Sequence, residues 1–175
     1  SRDTKRVGGK ALGLSQMTGD GIPVSPGFTV TTDAYKAYLD ATGLGDRLHE
    51  ALAAVNRDSI DALEHLEKTI FQWFDDVAVP GDIADAISAD YNSLSGMVGV
   101  ANVSVAVRSS ATAEDSAGTS FAGEYETYVG LKGASDIELH VRRCWASAFT
   151  VRALTYAWKN KISPLDVNMA VVIQK

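Results

Sequence analysis

The order of apolar patterns along the chain predicts an α+β domain, with helices packed against a mostly antiparallel or mixed sheet. Helical stripes fill the first half, whereas near-continuous β-branched runs come later, "VSVAV" (Val103 to Val107) and "MAVVI" (Met169 to Ile173). A single helical stretch crosses between those runs, so the regular strand–helix alternation of a parallel α/β fold is missing. The composition allows such a core: 175 residues of which 46% are hydrophobic suit one domain of ordinary size.

Taken in order, "VGGKALGLSQMTGDGIPVSPGFTV" (Val7 to Val30) opens on a glycine turn, with a short helix expected over Ala11 to Met17. Gly19, Gly21, Pro23, Pro26 and Gly27 then punctuate a loop before the short strand "GFTVTT". An amphipathic helix follows from Asp33 to Thr42, with Tyr35, Tyr38 and Leu39 on one face and Gly43 as its stop. A second helix spans Asp58 to Asp75, capped by Asp58 or Ser59, with Ile60, Leu63, Leu66, Ile70 and Trp73 at helical intervals. A third follows Pro80 and carries Ile83, Ile87 and Tyr91. Stripes at this spacing face a core, so the three helices read as scaffold.

Beyond a glycine-bearing linker, "SLSGMVGVAN", the β-branched runs read as strands covered on both faces. "YETYVGL" (Tyr125 to Leu131) alternates like a strand with one more polar side. A long helix is expected from Ala134 to Asn160, with Ser135 and Glu138 as a capping box. Its buried stripe is Ile137, Val141, Trp145, Ala148 and Phe149. No internal repeat, low-complexity tract or coiled-coil heptad is present.

Charge and cysteine usage narrow the function classes. A net charge of −6 and a pI near 5.0 argue against a general nucleic-acid surface. One cysteine, Cys144, excludes an internal disulfide framework and fits a cytoplasmic setting. No window approaches the ~20 apolar residues of a membrane span, so no membrane partner is expected. The chain lacks an initiator methionine and ends on "NMAVVIQK", a strand cut before its turn. On that reading the chain is a fragment of a longer protein.

Three segments could carry chemistry. In "VGGKALGL", Gly8 and Gly9 let backbone N–H groups converge on an anion that the Lys10 ammonium could cover. The spacing is not that of a P-loop, and an ordinary exposed turn explains the triplet equally well. In "VAVRSSATAED" (Val105 to Asp115), an apolar strand runs into Arg108, whose planar fork matches phosphate oxygens. Ser109, Ser110 and Thr112 add hydroxyls; Glu114 and Asp115 could order the loop, assist a metal, or close an internal salt bridge with Arg108. "SAGTSFAGEYETYV" (Ser116 to Val129) places Gly118 and Gly123 around Ser120 and Phe121, as in a small lid over phosphates or a plain hairpin connection. His49, His65 and His140 lack a second ligand at metal spacing, and Cys144 lies on an apolar helix face, so no metal site is assigned.

Three passages together, "VGGKALGL…GIPVSPGFTVTTDAY", "VAVRSSATAEDSAGTSFAGEYETYVGL" and "RRCWASAFTVRALTY…MAVVIQK", resemble one known family. It is the N-terminal ATP-binding domain of phosphoenolpyruvate synthases, which pyruvate phosphate dikinases and rifampin phosphotransferases share. The likeness spans nearly the whole chain in the same order, and only Asp46 to Asn102 is generic helix. The resemblance implies part of an ATP-grasp-like nucleotide site, with a phosphoryl group passing from ATP to a histidine on a separate domain. It further implies that Lys10 and Arg108 hold the phosphates, that Gly123 offers flap backbone, that Thr127 contacts the nucleotide, and that Gln174 approaches the adenine. Catalysis would rest on Arg108 and Lys10, because phosphoryl transfer asks chiefly for positioning and positive charge.

The family's second lobe, with its Mg2+ ligands, is not in this sequence, nor are its carrier-histidine and acceptor-binding domains. By itself the chain is therefore expected to hold half an ATP site and to transfer nothing. Three functions compete. One is the ATP-binding portion of an enzyme whose final acceptor is pyruvate. Another is the same portion of an antibiotic-phosphorylating enzyme. The last is a stand-alone domain that binds a nucleotide or partner without catalysis.

Overall fold

A computed structural model describes residues 24–111 and 126–175 of the chain. The expected helix over Ala11 to Met17, the Lys10 segment and the Phe121 segment lie outside the described residues. Strands β1 (Gly27–Val30), β2 (Val105–Ala111), β3 (Thr127–Leu131) and β4 (Met169–Gln174) form one sheet in the order β1-β4-β2-β3. Every pairing in it is antiparallel. Six α-helices accompany the sheet: α1 (Thr32–Thr42), α2 (Leu44–Ala54), α3 (Ile60–Asp76), α4 (Gly81–Val98), α5 (Ala134–Ala146) and α6 (Val151–Lys159). The α+β class read from the sequence is the one the structure has.

Helix α5 lies on the sheet. Its Cys144 thiol sits 3.9 Å from the Val107 carbonyl, and the His140 ring meets Tyr128 at 4.8 Å between centroids. Trp145, fully buried, gathers the helices around itself: Tyr38 stacks on it at 5.0 Å and Tyr35 lies tilted against it at 5.7 Å, both from α1. Phe74 of α3 continues the cluster toward Tyr38 at 5.7 Å and Phe149 at 6.1 Å. Aromatic contacts of this kind add about 0.5–1.5 kcal/mol each to the burial of their area. The inner strand β4 is buried from Met169 through Ile173, as its unbroken apolar run predicts.

A buried charge network ties α3 to α5. Arg142 is 7% exposed, and its Nη1 donates to the carbonyls of Phe74 at 2.6 Å and Asp75 at 2.7 Å. These belong to the last turn of α3, where carbonyls lack intrahelical partners. Arg142 Nη2 donates to Glu138 Oε2 at 2.9 Å, and Glu138 Oε1 accepts the Val79 N–H at 3.2 Å. Beside it Arg143 forks onto both oxygens of Asp75, at 3.0 and 3.2 Å.

Several sequence expectations are corrected here. Gly43 stops α1 as expected, but it also starts α2, a helix the sequence reading passed over. Its φ of +72° turns the chain within a single residue, a conformation natural to glycine, so no loop separates the two helices. The helix expected from Ala134 to Asn160 is broken. A 3-10 turn over Ser147–Phe149 leads to an extended Thr150, whose hydroxyl accepts the Ala153 N–H and so caps α6. Glu67 takes the next free donor, the Val151 N–H, at 2.8 Å. Ser135 and Glu138 form no capping box: Gly133 precedes α5 without a side-chain cap, and Glu138 is spent on Arg142.

Ile60 is 60% exposed at the start of α3, and Phe74 rather than Trp73 fills the core there. Trp73 instead receives the Arg47 guanidinium over its ring at 4.3 Å. The supposed linker from Ser93 continues α4 to Val98, because Leu94 extends the buried stripe of Ile87 and Tyr91. Strand β2 starts two residues later than expected and runs on through Arg108 to Ala111, since β4 pairs with it along that whole length.

Two outcomes test this packing. Glu138→Ala leaves the Arg142 charge buried without its carboxylate and should cost about 3 kcal/mol or more, read from denaturant unfolding. The second outcome concerns alkaline pH. Burial, helped by the nearby Cys144, pushes the Tyr128 phenol up to about 12, and burial drives Tyr35 and Tyr38 higher still. Unfolded tyrosine titrates near 10, so the folded state keeps protons that the unfolded chain loses. Stability should hold below about pH 10 and fall as pH rises from there toward 12, with the urea midpoint dropping as tyrosinate absorbance appears on unfolding.

Candidate functional site

Strand parity decides which side chains share a surface. Val107 is buried and pairs with Tyr128 and Ile173, so odd-numbered β2 residues face α5. Arg108 points the opposite way. Thr127 stands directly across from it on β3 and Val172 on β4. Gln174 stands across from Ala106, two residues before Arg108 on the same side, and across from Gly27 of β1. Directly opposed residues share a face, so Arg108, Thr127 and Gln174 lie together on the sheet surface away from the helices. Arg108 and Gln174 are diagonal neighbours on adjacent strands, a separation of roughly 7–8 Å.

Arg108 therefore lies within an interior strand, not just past the end of one as the apolar run Val103 to Val107 suggested. β2 is flanked by β4 on one side and β3 on the other. The side chain is nonetheless exposed, and no described residue gives it an ion pair or hydrogen bond. Such a guanidinium, rooted on a hydrogen-bonded ladder and lacking a carboxylate among the described residues, is available to an external anion.

Thr127 is exposed beside it. Gln174 is half-buried and oriented: its Nε2 donates to the Ser25 carbonyl at 3.0 Å, which leaves Oε1 as an acceptor. The next residue ties down the same edge, Lys175 N–H donating to the Pro26 carbonyl at 3.0 Å. The β2–β3 ladder slips between Val105 and Val107, where Val129 and Gly130 together oppose Ala106. Gly130, at φ +76°, supplies the left-handed residue of that bulge, which bends β3 next to Arg108.

The hydroxyls that follow Arg108 divide between the two faces. Ser109 points toward α5 and donates to the Glu126 carbonyl at 3.1 Å, a structural role. Ser110 shares the Arg108 face, is fully buried, and its Oγ has no partner among the described residues. Sequence alone treated the pair alike; strand parity separates them. Thr29 of β1, opposite Val172, also falls on this face and was missed, because nothing about a threonine in a short strand marks its side.

Lys10 and Gly123, together with Thr112, Glu114, Asp115 and Phe121, lie outside the described residues. His49 and His65 are exposed on α2 and α3. His140 has its Nδ1 2.7 Å from the Asp136 carbonyl, and Cys144 is core. Among the described residues, no group of three or more His, Cys, Asp or Glu could hold a metal ion, and no helix is long and apolar enough to cross a membrane. A forked cation, a hydroxyl and an oriented amide on one rigid surface can bind an elongated anion that carries a hydrogen-bonding head. Each charge-assisted contact there is worth about 1.5–3 kcal/mol.

Comparison with known proteins gives the chain a family. The family described as "Pyruvate phosphate dikinase, AMP/ATP-binding domain" matches residues 4–175. A probable phosphoenolpyruvate synthase of Methanocaldococcus jannaschii is 40% identical over 175 residues, covering 100% of this chain and 15% of the relative. A phosphoenolpyruvate synthase of Aeropyrum pernix is 40% identical over 170 residues, 97% of this chain and 21% of the relative. A rifampicin phosphotransferase of Streptomyces sviceus is 42% identical over 170 residues, 97% of this chain and 19% of the relative. The chain thus spans about a fifth of the length of these relatives. The chain belongs to the pyruvate phosphate dikinase AMP/ATP-binding domain family.

Proposed function

We propose that the chain is the N-terminal ATP-binding portion of a multidomain phosphotransferase of the phosphoenolpyruvate synthase type. In this reading a phosphoryl group passes from ATP to a carrier histidine on another domain, and from there to pyruvate. The observation that carries the proposal is Arg108: an exposed guanidinium without a carboxylate partner among the described residues, aimed from an interior strand on the same face as Thr127 and Gln174. Arg108 grips phosphate oxygens, Thr127 contacts the nucleotide, and the Oε1 of Gln174 accepts from the exocyclic amine of adenine. Lys10 and the Gly123 backbone complete the phosphate end. Mg2+ neutralises the triphosphate, with its ligands supplied from outside this chain. The setting is cytoplasmic, and the partners are the carrier-histidine and acceptor-binding domains of the same or an associated chain.

Preorganised cations lower the barrier where charge develops, which is the main demand of phosphoryl transfer. A rifamycin acceptor is the second reading, favoured by the 42% identity to the Streptomyces sviceus enzyme. It uses the same ATP-binding face and differs in the acceptor domain.

In the full-length protein, Arg108→Ala should abolish ATP-dependent phosphorylation while circular dichroism and unfolding stay unchanged. AMP formation at the unaltered rate would reduce Arg108 to a strand residue. Lys10→Ala should cost on the order of a few kcal/mol of transition-state stabilisation, read as kcat/KM for ATP. Gln174→Ala should act mainly on binding, raising KM for ATP about tenfold with a smaller change in kcat.

A further inference from the structure

A second cleft lies among the helices, and none of its lining residues comes from the sheet. It encloses about 460 Å³, a size that suits a small organic ligand. Its cationic side is Arg57 and Lys161, with His49 beside them; its apolar wall is Trp158, Leu52 and Ile162. Among the described residues no carboxylate lines it, although the chain carries a net charge of −6. The Arg57 guanidinium lies over the Trp158 ring at 4.3 Å, which fixes the cation beside the apolar wall. A second arginine–tryptophan stack, Arg47 over Trp73, sits in a groove that also holds Glu50, so the two stacks differ in having a carboxylate nearby.

Lys161 adds an independent observation. It follows the C-terminus of α6 at φ +58°, where its N–H donates to the Trp158 carbonyl and the Ile162 N–H to the Ala157 carbonyl. Glycine is the ordinary residue for such a position. The other non-glycine residue at positive φ among those described is Asn102, whose short amide tolerates that conformation. A lysine held there at a conformational cost points to a use for its ammonium.

We propose that this cleft binds a small organic anion: its phosphate or carboxylate is held by Arg57 and Lys161, and its planar or apolar part lies against Trp158, Leu52 and Ile162. This site is separate from the Arg108 face and does not depend on the ATP reading.

Phenyl phosphate is the probe, and the Trp158 indole N–H resonance is the readout, in the full chain carrying Arg108→Ala to remove binding at the sheet. Phenyl phosphate should shift that resonance saturably, while inorganic phosphate and benzyl alcohol should each bind about tenfold more weakly, since each supplies one half of the contact. Lys161→Gly should raise Tm by relieving the positive φ and yet weaken phenyl phosphate about fivefold or more. Arg57→Gln should weaken it similarly with Tm unchanged. An unmoved Trp158 resonance, an equal response to benzyl alcohol, or full affinity in both variants overturns the proposal.

Discussion

The Arg142 guanidinium, buried between α3 and α5, is the contact on which the rest of the arrangement leans. It accepts no compromise in position: one nitrogen serves the carbonyls of Phe74 and Asp75, and another serves Glu138. Glu138 in turn holds the Val79 N–H just past the end of α3. A charge out of water is costly unless its donors are met, so this network holds only when α3 ends against α5 in one register. That register brings Phe74 to Tyr38 and Phe149, and Tyr38 to Trp145. The aromatic core and the charge network therefore specify the same placement of helices.

The consequence reaches the opposite surface of the sheet. α5 covers the side of β2 that carries Val107 and Ser109 and the side of β3 that carries Tyr128. Once that side belongs to the core, alternation along each strand commits Arg108 and Thr127 to the other. Gln174 joins them through the β4 register. The surface that carries Arg108, Thr127 and Gln174 is thus the back of a sheet whose front is packed by helices. A one-residue slip of β2 against β4 would turn Arg108 into the core and expose Val107, a cost large enough to keep the register single.

The family likeness was readable because its motifs are dense in chemically unusual residues: an arginine after an apolar run, then hydroxyls and glycines. The strands were readable because β-branched runs bounded by turn residues have few other solutions. The failures share a cause. Gly43 was read as a stop when it is also a start, since a single left-handed residue can join two helices without a loop. The break at Thr150 left no proline or glycine to mark it; Thr150 and Glu67, distant in sequence, together satisfy the donors of the new helix. Trp73 and Phe74 are adjacent and both apolar, and only the approach of α5 chose Phe74 for the interior.

By itself the sequence determined the α+β class and the family, because each depends on residue type and local period. Tertiary structure alone decided that Arg108 sits on an interior strand, that Ser109 and Ser110 serve opposite faces, and that Arg57 and Lys161 line one cleft with Trp158. Those outcomes turn on which strand or helix lies alongside, and contacts between residues far apart in the chain leave no trace in local pattern.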